Sequence, residues 1–231
     1  MKRSRLDIVR RWTELWLGER GLSALLVLVF IALFLGPIID WPPVRLITSL
    51  LLSLLMVSGV LAMSRRPWIR YCAGALACTA IALRWLTHLF PSTAIYRWSS
   101  FFSLLFMVFL TLGTLCKVYL DDKPVTAHRI MGAVAAYLLF GVTWSILYGL
   151  LDQVLPGGAF SISSAGVYDP ERQERLVFFS FVTLTTVGYG DITPTHDVSR
   201  MFAVVEALVG QLYPATLLAR LVSLEVSRRG S

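Results

Sequence analysis

Charge is scarce in this sequence. Asp, Glu, Lys and Arg make up 15% of its 231 residues and hydrophobic residues 56%, and the mean hydropathy is +0.70. Soluble domains carry about 25% charged residues, so an ordinary soluble globular chain is excluded. Cysteine is scarce as well. Cys72, Cys78 and Cys116 form no C-x-x-C pair and show no metal-ligand spacing, which excludes a disulfide framework and a zinc site. All three fall in apolar stretches, where they are expected to be buried as small hydrophobes. No nucleophile–base set, phosphate-binding loop or metal cluster can be assembled, so neither an enzyme nor a cofactor is expected. Basic residues outnumber acidic ones 21 to 14, a formal charge of +7. A nucleic-acid partner is still not expected, because those charges sit in short segments between long apolar runs.

The apolar runs organise the chain. A helix crosses the hydrocarbon core in about 20 residues, and six runs come near that length: 22–39, 44–63, 69–90, 98–120, 127–151 and 198–226. The breaks are Pro42-Pro43, Arg65-Arg66-Pro67, Pro91-Ser92 and Asp121-Asp122-Lys123-Pro124, where proline removes a helical donor and its ring clashes with the preceding turn. Residues 152–197 are too polar and too rich in glycine and proline to span as a whole, yet they hold one apolar helix-length piece, 176–186. The expected fold class is therefore an all-α membrane protein with six transmembrane helices and a re-entrant element between the fifth and sixth.

Placing both termini in the cytoplasm puts 15 of the 21 basic residues at cytoplasmic ends, as retention of positive charge on that side requires. The run 22–39 is preceded by a long basic segment and lacks a small-x-small cleavage site, so it is expected to stay as an anchor in a plasma membrane or bacterial inner membrane. Residues 1–21 place Ile8, Trp12, Leu15 and Trp16 at spacings of three and four, opposite Arg3 and Arg10. That pattern predicts an amphipathic helix lying on the membrane surface.

The string Thr185-Thr186-Val187-Gly188-Tyr189-Gly190-Asp191 follows the 176–186 piece. Two glycines one residue apart open dihedrals closed to other residues, so consecutive carbonyls can point the same way. Non-helical backbone at membrane depth is tolerated only where it lines a cavity. Several copies around an axis would meet that need, and rings of hard oxygen ligands would replace the water shell of a monovalent cation. Here the chain resembles the potassium channel superfamily, whose filter signature is T-V-G-Y-G followed by Asp. The resemblance covers residues 127–226: outer helix 127–151, pore helix 176–186, filter 186–191 and inner helix 198–226. It implies a homotetramer with K⁺ on the backbone oxygens of Thr186, Val187, Gly188, Tyr189 and Gly190, the Thr186 hydroxyl closing the inner site. It also implies that Asp191 braces the filter from behind. Where many relatives place hydrogen-bonding tryptophans, this chain has Phe178 and Phe179, which cannot donate, and Val182 stands where some relatives carry a carboxylate.

Within the inner helix, Gly210 and Pro214 mark the expected kink, and the resemblance makes Gly210 a gating-hinge candidate, with close helix packing as the alternative. Glu206 and Arg84 are intramembrane ionisable residues, expensive enough there to suggest a function. Glu206 could be protonated or bond the pore helix. Snorkelling to the surface is the favoured reading of Arg84, a small polar site with His88 the other. Six carboxylates stand against three arginines from Asp152 to Arg200, enough to gather cations at an external mouth unless they are an ordinary solvated loop. Residues 22–120 form a four-helix domain in the position of a voltage sensor, yet 98–120 contains Lys117 as its one basic residue, so steep voltage opening is not expected. Few residues follow the sixth run, so no cytoplasmic ligand-binding domain is expected in the chain, and 121–231 is read as the pore domain. The leading expectation is a K⁺-selective channel; a poorly selective cation channel and a non-conducting scaffold subunit are the alternatives.

Overall fold

Proline marks where helices start in this chain. The computed structural model describes residues 26–31, 44–62, 67–90, 92–120, 127–161 and 170–229. Six long helices occupy most of them: α1 (Val44–Ala62), α2 (Pro67–Leu89), α3 (Thr93–Leu120), α4 (Ala127–Val154), α5 (Pro170–Leu184) and α6 (Asp197–Arg229). α2 and α5 both open on proline, whose fixed φ suits the first helical position and whose missing N–H is not needed there. α3 follows Ser92, whose carbonyl accepts from the Tyr96 amide at 3.0 Å. His196 caps α6, its Nδ1 accepting from the Val198 amide at 3.2 Å, and Asp197 adds a carboxylate to the positive end of the helix dipole.

Among the described residues four helical stretches are long and apolar enough to cross a membrane: Trp68–Leu89, Thr93–Tyr119, Ile130–Val154 and Asp197–Arg220. They coincide with the third to sixth apolar runs. α1 contributes a shorter apolar stretch, Ser49–Leu61. Of the first run, residues 26–31 are helical and the remainder lies outside the described residues, as does the amphipathic segment expected at 1–21.

Helices α1 to α4 share one core. Leu55 and Met56 of α1, Ala77 and Ala80 of α2, Phe106, Met107 and Leu110 of α3, and Ala135, Leu139 and Val142 of α4 pack together with Val29. The N-terminal helices thus lie against the outer helix of their own chain, with Thr111 and Thr143 hydroxyls 3.1 Å apart across α3 and α4. A second core gathers Tyr148 of α4, Leu176 and Phe179 of α5, and Ala159, Phe160 and Ile192 from the segments that flank α5. There the short strands β1 (Phe160–Ser161) and β2 (Thr193–Pro194) pair antiparallel. That pairing closes the loop that holds α5 and the segment after it between α4 and α6.

One expectation is corrected by this packing and another is refined. Cys72, Cys78 and Cys116 are exposed on the helix bundle rather than buried, because in a membrane chain an apolar neighbourhood is as readily periphery as core. Asp152 and Arg172, counted with the charges of the external mouth, are buried and paired with each other, which leaves the excess of carboxylates over arginines there unchanged.

Candidate ion-conduction site

Helix α5 starts earlier in the chain than the apolar piece 176–186 and stops at Leu184. Its first turns are polar, so hydrophobicity alone did not reveal them. Arg172 in those turns explains the extension. Its guanidinium donates through Nε to Asp152 Oδ2, and through Nη2 to Asp152 Oδ1 at 2.9 Å, while the Ala159 amide donates to the same Oδ1 at 2.7 Å. A buried charge needs such pairing, and the pair ties the start of α5 to the end of α4.

The other end of α5 hands over to the T-V-G-Y-G-D string. The amides of Thr185, Thr186 and Val187 donate to the carbonyls of Phe181, Thr183 and Val182 at 3.0, 2.9 and 2.9 Å. The first residues of the string are therefore suspended from the last turn of the helix. The Leu184 carbonyl accepts from the Tyr137 hydroxyl of α4 at 3.2 Å. Thr186 then takes φ of 60°, and Gly188 and Gly190 follow at 62° and 81°. Left-handed backbone is open to glycine but costly for β-branched threonine, and such strain persists where surrounding structure enforces it, often at functional sites.

From Thr185 to Asp191 every residue is exposed, Val187 by 52% and Tyr189 by 71%. The chain leaves the segment uncovered on one side and anchors it on the other. Phe178 stacks on the Tyr189 ring, planes 3° apart and centroids 6.1 Å apart. Phe179 points away, making edge contacts with Tyr148 and Phe160 at 5.2 and 5.1 Å. Just beyond the string, Ile192 is buried in the second core.

The inner helix α6 runs through both Gly210 and Pro214. Proline has no N–H for the Gly210 carbonyl four residues back, and a Cβ at Gly210 would collide with the Leu184 carbonyl oxygen. Gly210 is thus where the end of α5 touches the backbone of α6. One turn earlier Glu206 is fully buried and bonded to Tyr148 and Ser180. Those two partners were not singled out from the sequence. Only the spacing of Ser180 and Leu184, matching that of Glu206 and Gly210, could have hinted at them. Of the polar candidates in α2, His88 Nε2 lies 3.0 Å from the Ser49 hydroxyl of α1, and Arg84 has its Nε buried.

Residues 132–226 match the ion channel family, the stretch that runs from α4 through the string and into α6. Among similar proteins, protein LctB of Geobacillus stearothermophilus is 43% identical over 116 residues, covering 48% of this chain and 86% of that protein. Two pore potassium channel c of Oryza sativa subsp. japonica is 38% identical over 101 residues, 44% of this chain and 20% of that protein. The human voltage-gated delayed rectifier potassium channel KCNH5 is 36% identical over 67 residues, 27% of this chain. This chain spans only 7% of the length of that relative. The chain belongs to the ion channel family. It is a multi-pass membrane protein with an ion-channel domain.

Proposed function

We propose that the chain is one subunit of a homotetrameric, six-span channel that conducts K⁺ selectively and passively, with both termini cytoplasmic. The observation on which this rests is the uncovered string at the end of α5. Its glycines adopt left-handed dihedrals, and its residues Thr186 to Gly190 lie exposed. One chain offers one carbonyl oxygen per layer, whereas a dehydrated cation takes about six to eight oxygens. Four copies around an axis supply them and cover the exposed segment. The resemblance assigns the K⁺ positions to Thr186, Val187, Gly188, Tyr189 and Gly190 and bracing to Asp191; of Phe178 and Phe179, the further bracing candidates, only Phe178 stacks on the Tyr189 ring, while Phe179 packs against Tyr148 and Phe160. The stacked ring of Phe178 fits a packing brace in place of a hydrogen bond. Lys117 and Arg220 belong to the ends of α3 and α6 that meet through Tyr119 and Thr216, away from the end where Gln153 reaches Ser100. This fits the cytoplasmic assignment of that end.

The experiment is ion uptake into liposomes holding the purified chain. K⁺ uptake is expected with Na⁺ uptake at least about tenfold slower, and Gly188→Ala is expected to remove the preference, since a methyl group there opposes the dihedral the aligned carbonyls need. Equal K⁺ and Na⁺ uptake by the unaltered chain points to the poorly selective cation channel. Silence in every lipid and at every voltage points to the scaffold subunit.

A further inference from the structure

Behind the string, where α4, α5 and α6 meet, lies a row of four buried oxygen-bearing groups. The Tyr148 hydroxyl donates to Glu206 Oε2 at 2.6 Å. Glu206 Oε1 lies 2.5 Å from Ser180 Oγ, and Ser180 Oγ lies 2.8 Å from the Gly141 carbonyl oxygen. Tyr148, Ser180 and Glu206 are each 0% exposed, and neither ion pair found among the described residues includes Glu206.

Each of these three oxygen–oxygen contacts needs a proton between its oxygens. Tyrosine supplies the first. The single hydroxyl proton of Ser180 fills one of the remaining two, and the Gly141 carbonyl has none to give. The carboxyl of Glu206 completes the set if it carries a proton: Oε1–H donates to Ser180, Ser180 donates to Gly141, and Tyr148 donates to Oε2. An ionised carboxylate would leave two lone-pair oxygens facing each other at 2.8 Å in a site that water does not reach.

The same row fixes a register. Glu206 and Gly210 lie four apart on α6, opposite Ser180 and Leu184, four apart on α5. One contact is a hydrogen bond and the other a backbone approach. Since Thr185, Thr186 and Val187 hang from the last turn of α5, the height of that turn against α6 sets the height of the string. We propose that Glu206 is a neutral carboxylic acid that positions the pore helix, and through it the filter, against the inner helix. The proposal rests on the conduction reading above.

Two measurements test it. Infrared spectroscopy of the reconstituted chain at neutral pH is expected to show a protonated-carboxyl carbonyl band that vanishes in Glu206→Gln; a spectrum unchanged by the substitution overturns the neutral acid. In liposomes, Glu206→Gln supplies the same donor and acceptor and is expected to keep the K⁺ over Na⁺ preference within about twofold, whereas Glu206→Ala is expected to lower it by about tenfold or more. Should Glu206→Ala fail to assemble, Ser180→Ala breaks the same link and is expected to lower the preference in the same direction. A preference retained in the alanine variants, or lost equally in Glu206→Gln, overturns the positioning role. An unaltered chain that conducts nothing overturns the conduction reading and the positioning role with it, and the infrared band still decides the protonation.

Discussion

Gly210 faces the Leu184 carbonyl, and a Cβ there has nowhere to go. Gly74 of α2 has no atom within 4 Å of the same added Cβ. The pair separates packing from helix propensity. Gly74→Ala gains up to ~1 kcal/mol because alanine loses less backbone freedom, whereas Gly210→Ala gains that and loses about 1–3 kcal/mol to the clash. The apparent melting temperature of the detergent-solubilised protein should rise for the first and fall for the second. A rise in both would mean that α6 can move off α5 at no cost, as a free hinge at Gly210 would allow. Glycine alone could not say which of its two roles applied here, because hinge and close packing call for the same residue.

The element that bears on voltage dependence is α3. Its 28 residues hold two cations, Arg97 near its start and Lys117 in its last turn. One charge crossing the full field is worth about 2.3 kcal/mol per 100 mV, and a residue near either end of a span crosses only part of it. Open probability in planar bilayers should therefore change weakly over about ±100 mV, with an effective valence below about one charge per subunit. A valence of several charges, reduced by Lys117→Gln, would make α3 a sensor and refute this reading. Contacts from α3 to the inner helix do exist: the Tyr119 hydroxyl lies 3.4 Å from Thr216 Oγ1, and Arg220 sits 5.1 Å above the Tyr119 ring. Movement of α3 would reach α6 through them, whatever stimulus starts it.

At the scale of the whole molecule, the uncovered surface is continuous with function. Val187 and Tyr189 of the string, and Met201, Val204, Val205, Leu208 and Leu212 of α6, are between 43% and 71% exposed in the single chain. Exposed non-helical backbone at membrane depth suits neither water nor lipid alone, since its polar groups require a partner or a cation. Native mass spectrometry of the detergent-extracted protein is expected to find a tetramer. A monomer or dimer that still conducts K⁺ would remove the argument for an axial filter.

The sequence by itself determined the membrane class, the positions of the apolar spans from α2 to α4 and of α6, and the identity of the string after α5. These follow from run length, from proline and from glycine spacing, all local properties of the chain. The start of α5 escaped it because polar helical turns look like loop until a buried partner such as Asp152 accounts for them. The pairing at the mouth escaped it for the same reason: composition records that Asp152 and Arg172 exist, and only packing brings them together. The exposure of the three cysteines was misjudged because hydrophobicity cannot distinguish lipid from protein interior. The tertiary structure alone decided that the N-terminal helices pack on the outer helix of their own chain and that Gly210 meets Leu184. It alone joined Glu206 to Tyr148 and Ser180, residues 58 and 26 positions away. Contacts at that separation depend on how helices cross, and no local pattern in a single sequence encodes a crossing.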